Sequence, residues 1–97
     1  MTPDQQCFMA ALETLVDSAD RLTATEFRSG VLLLAVASLS NGYANFSHEE
    51  AGIICGTDKN ATMRAHLIHL RDTGVLSDYS TNGTVRIKFA AYGRREM

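Results

Sequence analysis

The sequence predicts a small α+β domain, mainly α, in which four helices precede a C-terminal β-hairpin. Three observations lead there. Thr23 with Glu26 and Ser47 with Glu50 have the spacing of capping boxes, in which a hydroxyl and a carboxylate satisfy the free amides of a helix start. Apolar residues recur at helical spacing in the stretches that follow. Asn82-Gly83 separates two extended runs, the strongest short-range hairpin signal a sequence carries.

Each element has its own warrant. Pro3 suits a first helical turn, with Thr2 placed to cap and Asp4 favourable to the dipole; Phe8, Leu12, Leu15, Val16 and Ala19 then mark an amphipathic helix over 3–19. After Thr23 the apolar residues from Phe27 to Leu39 cover most of the circumference, the pattern of a centrally buried helix, and Asn41-Gly42 supplies a left-handed stop. Tyr43 to Phe46 reads as a short edge strand. The Ser47 box starts a third helix that ends at Gly56, and after a turn in which Thr57 or Asp58 can cap, a fourth covers 59–73. Its inward stripe is Met63, Leu67 and Leu70. Val75 to Ser80 and Thr84 to Ala90 are the two hairpin strands, with Val85, Ile87 and Phe89 on one face and Arg86 and Lys88 on the other.

At 97 residues, 45% of them hydrophobic, the chain can build one core and not two, so 1–97 is read as a single domain. Within it, 1–20 is set apart as the N-terminal helix and 91–97 as a flexible tail. The longest apolar run, Val31 to Leu39, is too short to span a bilayer, and no basic residue precedes Arg21 as a signal peptide would require. Cys7 and Cys55 fall in helical patterns as buried thiols. The expectation is a soluble, cytoplasmic protein.

Net charge is −2, but it is unevenly spread. Residues 1–56 hold two basic groups, Arg21 and Arg28, against seven acidic ones; residues 57–97 hold seven basic groups against four acidic ones. That polarity can orient a domain on a polyanion.

The local sequence resembles winged helix-turn-helix domains at two points. Phe46-Ser47-His48-Glu49-Glu50-Ala51-Gly52-Ile53-Ile54-Cys55-Gly56 is similar to the capped first helix of the motif, with Ala51 and Gly52 where two helices cross closely. Leu67-Ile68-His69-Leu70-Arg71-Asp72-Thr73-Gly74-Val75-Leu76 resembles the passage from recognition helix into wing. The resemblance covers about 22–90 and implies a winged helix-turn-helix with an extra N-terminal helix and a β-hairpin wing. It is nearest to short prokaryotic, plasmid or phage regulators and to N-terminal domains of phage replication proteins. The function implied is double-stranded DNA binding in transcription or replication control, with helix 59–73 in the major groove and the 75–90 hairpin on the backbone.

Under that reading, Asn60, Thr62, Arg64 and His69 are the candidates for base edges, and Lys59, Arg71, Arg86 and Lys88 for phosphates. No catalytic residue, cofactor or metal is expected. His66 and His69 with His48 and Cys55 could be assembled into a zinc site, but the paired Cys-x-x-Cys element is absent and the histidines read as surface or flank residues. Two outward alanines on the fourth helix, with Asp58 and Asp72 at its ends, favour the rival role: a protein-interaction module such as an adaptor or inhibitor encoded by a mobile element. A homodimer through the N-terminal helix, expected outside the helical core, is compatible with both.

Overall fold

The computed structural model describes residues 2–93. Five α-helices and a three-stranded antiparallel sheet make up the fold: α1 (Pro3–Asp17), α2 (Ala24–Ala37), β1 (Tyr43–Phe46), α3 (His48–Cys55), α4 (Asn60–Asp72), β2 (Leu76–Ser80), β3 (Val85–Phe89) and α5 (Ala90–Gly93). Single 3₁₀ turns at Ala19–Arg21 and Ser38–Ser40 follow α1 and α2. The fold is thus α+β with helix predominating.

Three helices begin with complete capping boxes. The Thr23 hydroxyl accepts from the Glu26 amide while the Glu26 carboxylate accepts from the Thr23 amide, and Ser47 with Glu50 does the same. Thr2 and Gln5 form a third box at α1, where only Thr2 was anticipated. At α4 the expectation fails: Lys59 occupies the N-cap and its ammonium has no acceptor for the first-turn amides, while the Thr57 hydroxyl accepts from the Lys59 amide inside the turn.

Helix α1 is part of the core and not an appendage to it. Cys7, Ala11 and Leu15 line its buried stripe, and it packs on α2 and α5. Its register is turned from the expected one, leaving Val16 and Ala19 exposed. A methyl group at Gly30 of α2 would lie 2.5 Å from Leu15 Cδ2 and 3.2 Å from Leu70 Cδ2, so the missing side chain is what lets α1, α2 and α4 meet. The premise for assigning α1 a dimer contact is therefore overturned. Helix α2 is buried along one side only, through Leu33, Leu34 and Ala37, and Leu39 beyond it is 85% exposed.

The sheet has strand order β1-β3-β2. Tyr43 pairs with Lys88 and Phe46 with Val85 on one side of β3; Tyr79 pairs with Ile87 and Ser80 with Arg86 on the other. A bulge between Leu76 and Asp78 bends β2. Because side chains alternate along β3, Val85, Ile87 and Phe89 enter the core while Arg86 and Lys88 stay outside. The chain then turns into α5, where Ala91 and Tyr92 are buried. These two residues correct the expectation of a flexible tail from 91; its remainder, 94–97, lies outside the described residues. No helix among the described residues is long and apolar enough to cross a membrane.

Candidate nucleic-acid interface

Helix α4 buries Met63, His66, Leu67 and Leu70, the three expected residues plus a histidine expected at the flank. From Lys59 to Ala65 every other residue is exposed, which presents Lys59, Asn60, Thr62 and Arg64 to solvent at the helix start. Helical spacing divides the candidates between two flanks. Asn60, Arg64 and Arg71 share the flank toward the sheet, where the Arg71 guanidinium lies over the Tyr79 ring at 4.9 Å and 3.9 Å from Asp72. Thr62 and His69 lie on the flank toward α2. There His69 Nδ1 donates to Glu26 at 2.5 Å, leaving only Nε2 for any other partner. The most outward ridge is Ala61, Ala65, Ile68 and Asp72.

A groove of about 730 Å³ runs between α3 and the start of α4, lined by His48, Glu49, Ile53, Lys59, Asn60 and Met63 among others. Its two sides differ in charge, with Glu49 on α3 and Lys59 on α4. Gly52, expected at a helix crossing, instead makes room for the turn: a methyl there would come within 2.6 Å of the Thr57 carbonyl oxygen.

Arg86 and Lys88 do not share a surface with α4. The helix packs against the face of the sheet that carries Ile87 and Tyr79, so the two cations stand on the opposite face. Lys88 Nζ lies 5.1 Å from the centre of the Tyr43 ring, its neighbour across the β1–β3 ladder. The eight sequence candidates thus form two groups: six on α4 and its cap, two on the outer sheet.

Beneath α4 lies a buried polar cluster that sequence reasoning missed. The Ser29 hydroxyl donates to the Thr25 carbonyl at 2.9 Å and lies 3.2 Å from His66 Nδ1. The buried Cys55 thiol of α3 adjoins it. With its one proton committed to Thr25, Ser29 must accept from His66, which places a hydrogen on Nδ1. Burial raises the Cys55 pKa, and the bond to Ser29 offsets this only in part, so the group remains a thiol and not a nucleophilic thiolate. Burial also pushes the Glu26 carboxyl upward, but the Thr23 amide and His69 outweigh it and hold the group below the ordinary glutamate value. The cluster joins α2, α3 and α4, and its polar atoms satisfy one another. Among the described residues no three of His, Cys, Asp and Glu are grouped to hold a metal ion.

No family model, curated protein or solved structure matches the chain. Ser29 stands between Arg28 and Gly30, ahead of the apolar run that starts at Val31, so its position in the sequence does not mark it as buried.

Proposed function

We propose that the protein is a non-enzymatic winged helix-turn-helix domain that binds double-stranded DNA through α4. The order α3, turn, α4 and hairpin, with β1 joining the hairpin as a third strand, supports the fold reading. One observation carries the functional one: the first half of α4 is exposed except for Met63 and bears Lys59, Asn60, Thr62 and Arg64. Arg64 and the two polar residues can reach base edges, while Lys59 and Arg71 flank them as phosphate contacts. Control of transcription or replication is the role such a domain serves.

The test is affinity for a random duplex against salt. With the two phosphate contacts of Lys59 and Arg71, the logarithm of affinity falls with the logarithm of salt at a slope of about −1.8. Arg64→Ala alters sequence preference, whereas Lys59→Ala weakens all duplexes alike. Absence of any duplex shift at low salt overturns the proposal.

A second reading has its own support. Ile53 on α3 is 70% exposed in the groove beside Lys59 and Asn60, and the outward ridge of α4 holds two alanines and Ile68. Such a surface suits a protein partner. Ile53→Ala separates the two, because duplex binding tolerates it and a protein contact does not.

A further inference from the structure

The outer face of the sheet forms a two-row grid. Tyr43, Lys88 and Asp78 stand abreast in one row, and Asn45, Arg86 and Ser80 in the next. Consecutive outward residues on β3 are about 7 Å apart, from the antiparallel rise of about 3.4 Å per residue. Among the described residues no element packs on this face: Tyr43 is 43% exposed, and Asn45, Arg86 and Asp78 are exposed as well. It holds two cations, one carboxylate, two hydrogen-bonding side chains and an aromatic ring already in contact with one of the cations.

A duplex lying against α4 does not meet this surface, because the sheet stands between them. We propose that the outer sheet face binds single-stranded nucleic acid, with Arg86 and Lys88 on successive phosphates and Tyr43 as the platform on which a base stacks. Charge complementarity selects a polyanion, and the exposed ring selects one that carries bases. A single strand can splay its bases onto an exposed sheet face, whereas a duplex keeps them stacked inside. Asn45 and Ser80 add hydrogen bonds to sugar or base. Asp78 opposes the ligand and sets a limit on affinity. The site is separate from α4, so it stands or falls independently of duplex recognition.

Fluorescence anisotropy of a labelled oligothymidylate with the full chain tests this. Wild-type protein binds the strand at low salt, and Tyr43→Ala weakens binding by about fivefold or more, the loss of one stacked base. Tyr43→Phe retains binding. The double variant Arg86→Ala with Lys88→Ala lowers the salt slope by about 1.4, from two lost contacts at about 0.7 each. Asp78→Asn tightens binding without touching a proposed contact. Tyr43→Ala leaves duplex affinity unchanged, and Arg64→Ala leaves oligothymidylate affinity unchanged. Circular dichroism melts of each variant identify any loss that comes from unfolding. No binding at low salt overturns the proposal. So does equal affinity for an abasic strand of the same length, which leaves phosphate attraction alone, or equal competition by polyglutamate, which makes the surface a site for an acidic protein segment.

Discussion

Glu26 and His69 tie α2 to α4 through a carboxylate whose two oxygens are both engaged: Oε1 accepts from the Thr23 amide at 2.9 Å and Oε2 from His69 Nδ1 at 2.5 Å. One side chain closes the cap of α2 and anchors the last turns of α4. The carboxylate is buried and the imidazole half-exposed, so removal of either partner has unequal effects. Loss of His69 exposes Glu26 to water. Loss of the charge at Glu26 leaves a cap bond but no ionic anchor.

The pH dependence follows from the direction of the Glu26 shift. Its folded pKa lies below the unfolded value of about 4.3, so the carboxylate contributes stability above that pH and loses it as pH falls through the folded pKa. Glu26→Gln is expected to lower stability by about 1–3 kcal/mol at pH 7, the range for hydrogen bonds to a charged group. The difference from wild type should shrink in thermal melts taken well below pH 4. A difference that stays constant into acid would show that the carboxylate is not the source.

Ser29 offers a second test because its hydroxyl serves both Thr25 and His66. Ser29→Ala removes the acceptor for His66 Nδ1–H in a place that water does not reach. Leaving buried donors unpaired costs about 1–3 kcal/mol. The urea midpoint should fall accordingly with no change in m-value. A loss under about 0.5 kcal/mol would mean that His66 finds another partner on its own helix.

What could be read from the sequence was what is decided locally. The Thr23–Glu26 and Ser47–Glu50 boxes, the Asn41-Gly42 stop and the strand alternation of Val85, Ile87 and Phe89 each depend on residues a few positions apart, and each appears where expected. The burial of His66 depends on Ser29, 37 positions away, and no periodicity contains that information. The same holds for α1, whose place in the core rests on the gap at Gly30 and on α5. Of the candidate site, the exposure of Asn60, Thr62 and Arg64 was legible from the Met63, Leu67 and Leu70 stripe. The separation of Arg86 and Lys88 from α4 was not, because alternation states that two faces exist but not which one the helix covers.

Gly42 is where α2, β1 and β3 meet. Its amide donates to the Ala37 carbonyl at 2.8 Å, its carbonyl accepts from the Phe89 amide at 2.9 Å, and its φ is +87°. A methyl group there would run into the buried Tyr92 ring as well as strain the backbone. Gly42→Ala is expected to cost about 2 kcal/mol or more, from a left-handed conformation and an overpacked contact together. Gly83 has a similar φ of +78° but open space around it, so Gly83→Ala carries only the conformational part. Denaturant melts of the two variants should rank Gly42→Ala as the more damaging; equal losses would remove Tyr92 from the explanation.

The N-terminus of α4 sets stability against binding at a single residue. Lys59 takes extended backbone angles, φ −101° and ψ 119°, and gives no side-chain bond to the first turn, although the N-caps of α1, α2 and α3, Thr2, Thr23 and Ser47, all do. A serine at this position can accept from the amide of Thr62, so Lys59→Ser should stabilise the domain by about 1 kcal/mol. It also removes a cation from the surface proposed to meet DNA, and the salt slope for duplex binding should fall by about 0.9. Stability and affinity then move in opposite directions in one variant. A melting temperature that rises while duplex affinity stays constant would keep the capping argument and take Lys59 out of the interface.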